Sequence, residues 1–133
     1  MASQETPEER RLLKRLYERM AEARVVPFVE VGTDDWKPMQ HHCHGNVDWW
    51  AANNPGCKSV RGWLVLDGSF FGFVRLLSHS VVETEGGDLI DITPAPGVSR
   101  QYPFLRHMGD SSEYERFIDD GGVVGFTYMI GTG

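Results

Sequence analysis

The sequence predicts an α+β domain, on three observations. A charged, amphipathic helical pattern with its start signals written out fills residues 1–24. From Val60 onward the chain changes to short runs of β-branched and aromatic residues separated by turn signals. A length of 133 residues with 41% apolar content suits one ordinary core, which excludes both a disordered tail and a two-domain enzyme. The expectation is a single domain over residues 1–133, with the N-terminal helix and a second, cysteine-bearing helix packed on a mainly antiparallel sheet.

The first helix is predicted from its cap onward. Thr6, Pro7 and Glu9 supply a capping box with proline in the first turn. Leu12, Leu13, Leu16, Met20 and Ala23 then recur at helical spacing over about five turns. Val25 to Val31 reads as extended, and Thr33-Asp34-Asp35 as a turn. In the next stretch Cys43, Val47, Trp50 and Ala51 share one helical face, with Pro55-Gly56 as the stop, so Cys43 falls in or near the first turn of a short helix.

Four extended runs follow: Val60 to Leu66, Phe70 to Leu77, Ser78 to Thr84 and Leu89 to Ile92, with turns at Asp67-Gly68 and Gly86-Gly87. Ala95 to Gln101 contains two prolines and reads as a loop. Asp110 and Glu113 mark the start of a third helix through Phe117, closed by Gly121-Gly122, and Val123 to Ile130 reads as a last strand.

Charge narrows the function. There are 13 basic against 19 acidic residues, a net charge of −6, which argues against nucleic acid as partner. Six of the basic residues lie between Arg10 and Arg24, interleaved with acids as on an ordinary solvated helix face. No apolar run approaches the roughly 18–20 residues of a membrane span, and MASQETPEERR lacks an apolar signal core. The expectation is a cytoplasmic protein with no membrane partner and no cofactor. Two cysteines, Cys43 and Cys57, are too few for a disulfide scaffold. Cys57, at a turn, reads as structural, which leaves Cys43 to explain.

A thiolate is favoured at a helix N-terminus and by a neighbouring imidazole, and a carboxylate can orient that imidazole. Cys43, His79 and Asp91 supply these groups in order. His79 and Asp91 lie on opposite arms of a predicted hairpin, so its loop length decides whether they meet. A two-residue Gly86-Gly87 loop would send them to opposite faces. A three-residue Glu85-Gly86-Gly87 loop pairs Thr84 with Asp88, puts Asp91 opposite Val81, and makes it a same-face diagonal neighbour of His79. Gly87 suits the left-handed position of that odd loop, which is therefore preferred.

These residues carry a resemblance. A cysteine at a helix start, followed by HSVVETEGGDLIDITP, resembles the histidine-to-aspartate stretch of papain-like and transglutaminase-like thiol enzymes, with Asp91-Ile92-Thr93-Pro94 in place of their Asp-Pro-Thr-like sequence. It is also similar to small uncharacterised bacterial and phage proteins with Cys-x-x-Asn (Cys43, Asn46), Gly-Trp (Gly62, Trp63) and His-Ser (His79, Ser80) motifs. The resemblance covers about residues 40–94. It implies a papain-like or transglutaminase-like fold and a Cys43–His79–Asp91 triad acting on a peptide, a protein, or a small amide or thioester, by hydrolysis, deamidation or acyl transfer.

Gln40, His42, Asn46 and Trp63 are the candidate oxyanion or substrate-positioning residues beside the Cys43 backbone N–H. His107 reads as a surface or loop residue and a reserve base. Two rivals stand beside catalysis. One is a non-catalytic interaction domain, with the first helix as a homodimer or partner face. The other is a metal site using one histidine of His41, His42 and His44 together with Cys43 and His79, although the separated ligand pairs of zinc modules are absent.

Overall fold

The computed structural model describes residues 6–95, 102–118 and 124–130. The predicted loop over residues 95–101 falls almost wholly outside them, and the glycine pair 121–122 does so entirely. Among the described residues the architecture is α+β: three α-helices and one curled antiparallel sheet.

Helix α1 (Pro7–Glu18) has the predicted capping box, with Thr6 Oγ1 accepting from the Glu9 N–H at 3.1 Å and the Glu9 carboxylate accepting from the Thr6 N–H. It is shorter than the five turns predicted. The Arg19 N–H reaches back to the Leu16 and Tyr17 carbonyls, and a 3₁₀ turn at Met20–Glu22 follows. The chain must leave the helix there, because Arg24 forms a backbone bridge with Phe104. The extended segment after it makes a second bridge, between Phe28 and Asp91.

Helix α2 is Cys43–Asn53. Strands β1 (Lys58–Gly68) and β2 (Phe73–Glu83) form an uninterrupted hairpin in the register Lys58↔Glu83 to Gly68↔Phe73. The two runs expected over Phe70–Leu77 and Ser78–Thr84 are thus one strand, and Phe70 and Phe71 sit exposed at the hairpin tip. Asp67 Oδ1 accepts from the Ser69 N–H, and Gly72 at φ +87° completes the tip. Strand β3 (Leu89–Ile90) and β4 (Phe104–Arg106) give the order β3-β2-β1-β4. Helix α3 (Ser111–Ile118) starts on Asp110, whose Oδ1 accepts from the Glu113 N–H at 2.8 Å, and β5 (Gly125–Met129) returns to β2.

Alternation along β1 and β2 sorts the core into two faces. On one face Trp63, Val65, Val74, Leu76 and Leu105 meet Leu12, Leu13 and Leu16 of α1 and Tyr114 and Ile118 of α3. Further along that face Val82, with Ile92, meets Val47 of α2. Between the two apolar patches β2 carries Ser78 and Ser80, both fully buried. The opposite face holds Val60, Val81 and Phe104, covered by Val26. Each fully buried Leu, Val or Ile contributes about 1.5–3 kcal/mol, so α1 is held mainly by its three leucines.

Candidate active site

The turn before α2 presents Cys43. His41 adopts φ +65°, unusual for a residue with a side chain, and the His42 N–H bonds back to the Met39 carbonyl. Asn46 fastens this turn to the sheet. Its Oδ1 accepts from the Met39 N–H at 3.1 Å, and its Nδ2 donates to the Met39 carbonyl at 2.8 Å and to Thr93 Oγ1 at 3.0 Å. Thr93 in turn donates its N–H to Asp91 Oδ1 at 3.1 Å. Asn46 is thereby a structural link between the cysteine turn and the aspartate.

The hairpin that joins β2 to β3 turns over three residues, 85–87, inside a Thr84–Asp88 pair. The Thr84 N–H donates to the Asp88 carbonyl, the Gly87 N–H donates to the Thr84 carbonyl, and Gly87 takes φ +92°. Ile90 pairs with Val82, so Asp91 stands opposite Val81 and on the face of His79. The outcome is a contact of 2.7 Å between His79 Nε2 and Asp91 Oδ2. With the first oxygen bonded to Thr93 and the second to His79, the carboxylate has one orientation. Strand β5 pairs with residues 73–77 of β2 and β3 with residues 82–83, so His79 and Ser80 lie on the outer edge between them.

Cys43 is 2% exposed, whereas the side chains of His79 and Asp91 are 12% and 19% exposed. The aligned hydrogen bond of the thiol is to His44 Nδ1, at 3.8 Å, while His79 is close enough to act on its ionisation. Burial alone would push the thiol up. Hydrogen bonding and charge from His44 and His79 outweigh it and bring Cys43 down to about 6. For His79 burial favours the neutral ring, but Asp91 and the Cys43 sulfur outweigh it and raise the imidazole to about 9. Between those values the favoured pair is thiolate and imidazolium.

Four further residues belong to this cluster: the sequence offered His44 only as a metal-ligand alternative and Ser80 only within the His-Ser motif, and it did not single out Arg61 or Tyr114. His44, 5% exposed, places Nδ1 2.6 Å from Ser80 Oγ, and Arg61 Nη1 donates to the same oxygen at 3.0 Å. Arg61 also donates to Asp48 Oδ2 at 2.8 Å, tying β1 to α2. Tyr114 sends its hydroxyl into the β1–β2 ladder beside the site, donating to the Gly62 carbonyl at 2.7 Å and accepting from the His79 N–H at 3.2 Å. Burial first, and the nearby Cys43 charge second, raise the Tyr114 phenol well above its ordinary value. Gly62 also leaves room for β4, since a Cβ there would run into the Leu105 carbonyl oxygen and the Phe104 ring. A sequence signal for Ser80 existed: serines at 78 and 80 interrupt the otherwise apolar alternation of Val74, Leu76 and Val82.

The remaining candidates are placed as follows. Gln40 and His42 are exposed on the turn before Cys43. Trp63 is fully buried in the core, its Nε1 donating to His107 Nδ1 at 3.3 Å. His107 is not a surface residue. Its side chain is 3% exposed, with Nε2 3.1 Å from Glu113 Oε1 but off the line of a hydrogen bond, and burial pushes its ring below the ordinary value. Cys57 is a free thiol packed at the edge of the Val47–Val82–Ile92 cluster. Trp36 and Trp49 stack at 4.0 Å with Trp50 beside them. Among the described residues no three His, Cys, Asp or Glu side chains converge as a metal site, and no helix is long and apolar enough to cross a membrane.

No protein-family model, curated protein or solved structure matches the chain. The chemistry therefore has to be read from the site itself.

Proposed function

We propose that the protein performs cysteine-dependent acyl chemistry on a papain-like or transglutaminase-like scaffold. The observation that carries this reading is the His79–Asp91 contact of 2.7 Å beside a thiol brought down to about 6. Cys43 Sγ adds to the carbonyl carbon of an amide, peptide or thioester, and the carbonyl electron pair moves to oxygen. Collapse expels the leaving group, which takes its proton from His79, and Asp91 holds the imidazole in place throughout. Water then attacks the acyl-cysteine with His79 as base, giving hydrolysis or deamidation; an amine in its place gives transfer. The proton balance closes on His79.

The test is acylation by an activated ester, p-nitrophenyl acetate, followed by site-resolved mass spectrometry. Rapid release of one nitrophenolate per chain with acetyl on Cys43, abolished in Cys43→Ala and strongly slowed in His79→Gln, is the expected result. Acetylation no faster than that of a free cysteine peptide would refute the proposal.

An interaction domain on the same fold is the second reading. Its support is the exposed pair Phe70 and Phe71 at the β1–β2 tip, together with a thiol only 2% exposed. A Cys43 that stays unreactive towards small electrophiles in the folded protein would favour it.

A further inference from the structure

Tyr114 is fully buried, and its hydroxyl rests on backbone atoms at the residue that carries the imidazole. Its neighbours assign its bonds. A carbonyl only accepts, so the single hydroxyl hydrogen goes to the Gly62 oxygen, which at 2.7 Å is nearer than the His79 carbonyl at 3.4 Å. A backbone N–H only donates, so a hydroxyl lone pair takes the His79 N–H at 3.2 Å. Neither role depends on a tautomer.

Those backbone atoms belong to one register pair, because Gly62 on β1 stands opposite His79 on β2. Among the described residues no other side chain bonds to the His79 backbone, and the far end of the ring is held by Asp91 at 2.7 Å. Residue 79 is thus fixed twice, at its backbone by Tyr114 and at its ring by Asp91. It needs this support, since among the described residues β2 has a strand on its outer side only at residues 73–77 and 82–83. A stretch with fewer neighbours has fewer restraints of its own.

The same side chain meets the second imidazole. The Tyr114 ring lies edge-to-face with His44, centroids 6.0 Å apart and planes at 83°, and Trp63 backs it at 5.0 Å. His44 Nδ1 is 3.8 Å from Cys43 Sγ. One residue of α3 therefore touches both residues whose imidazoles act on the thiol.

We propose that Tyr114 is a positioning residue for the reaction, holding His79 and His44 at the spacing that keeps the Cys43 thiolate and the His79 imidazolium together. This deepens the acyl-chemistry reading above and rests on the ion pair which that reading uses. Tyr114 exchanges no proton in any step. Without its hydroxyl, the Gly62 carbonyl and the His79 N–H lose a shared partner, and β2 relaxes at the residue whose ring has to serve both Asp91 and Cys43.

Tyr114→Phe keeps the ring against His44 and deletes only the hydroxyl. The readouts are the pH dependence of Cys43 alkylation by iodoacetamide and the His79 ring shifts by NMR. A looser pair brings its two midpoints together. Cys43 should rise from about 6 and His79 fall from about 9, each by about half to one pH unit, which slows alkylation at pH 6 roughly two- to fivefold. Val74→Ala is the control for a merely structural effect: Val74 is buried in the same core, five residues from His79 along β2 and so about 17 Å away. It should lower the urea midpoint and leave both titrations in place. Titrations in Tyr114→Phe that match wild type, or that move equally in Val74→Ala, would overturn the proposal. The wild type supplies a measurement that needs no variant to fold. The Tyr114 phenol is held well above its ordinary value, so its ring Cζ signal should step near pH 6 only through Cys43; a signal flat through both midpoints would also overturn the proposal. Alkylation involves no acyl step, so a Cys43 that alkylates with a midpoint near pH 6 but takes no acetyl from p-nitrophenyl acetate sinks the acyl-chemistry reading, while the Tyr114→Phe titrations still decide this one.

Discussion

Replacing Asp91 by asparagine isolates the charge that the hairpin register delivers to His79. Asparagine keeps an oxygen for the Thr93 N–H, now bonded to Asp91 Oδ1 at 3.1 Å, so the local turn survives. What disappears is the carboxylate 2.7 Å from His79 Nε2. The His79 imidazole stands at about 9 against an ordinary 6.5, a displacement worth on the order of 3 kcal/mol at about 1.4 kcal/mol per pH unit. Cys43 shares in that displacement, and a short charge-assisted hydrogen bond contributes about 1.5–3 kcal/mol. Asp91→Asn should therefore lower the His79 midpoint by about one to two pH units. The thiol should move the other way, because a less charged imidazole stabilises the thiolate less. Histidine ring chemical shifts followed by NMR from pH 5 to 10 read the first effect, and the pH dependence of Cys43 alkylation reads the second. A His79 midpoint that does not move in Asp91→Asn would refute the reasoning, since the register-made contact would then carry no weight.

Three other outcomes follow from the same geometry. Tyr114→Phe removes the hydroxyl that bridges the Gly62 carbonyl and the His79 N–H, and should cost about 1–3 kcal/mol of unfolding free energy in urea melts. Gly62→Ala drives a Cβ into the Leu105 carbonyl and the Phe104 ring; since one of these is backbone, the loss should be at least about 1–3 kcal/mol, seen as a lowered urea midpoint. The His79 contribution to stability is complete below pH 6.5, because the folded value of about 9 lies above the unfolded one, and it is lost as pH rises through 9. The difference in melting temperature between wild type and His79→Gln should accordingly shrink between about pH 6.5 and 9, and a difference that grows over this range would reverse the sign.

The parts of the fold that were legible are those fixed by local chemistry. The Thr6–Glu9 capping box, the cysteine at the head of α2 and the left-handed Gly87 all follow from residue type and spacing. The register of β2 on β3 was readable for the same reason, since loop length alone decides which face Asp91 takes. The misreadings occur where tertiary contacts prevail. Helix α1 stops early because Arg24 is drawn into a bridge with Phe104, a residue eighty positions away. Strand β4 is three residues long and carries too little periodicity to announce itself, so His107 was expected at the surface, although β4 leads it into the core. Tyr114 and Arg61 reach the site from α3 and β1, and nothing in their local sequence marks that destination. His44 was visible only as one of three histidines around Cys43; its contact with Ser80, which Arg61 also reaches, joins residues that no spacing rule connects.

The central claim is that Cys43 is a thiolate held by neighbouring imidazoles, and the pH dependence of its alkylation tests that most directly. With iodoacetamide and site-resolved mass spectrometry, the Cys43 rate should rise with a midpoint near pH 6 and hold until the approach to pH 9, where His79 loses its proton. A midpoint at the ordinary cysteine value of about 8.5, the same in wild type and in His79→Gln, would contradict the account.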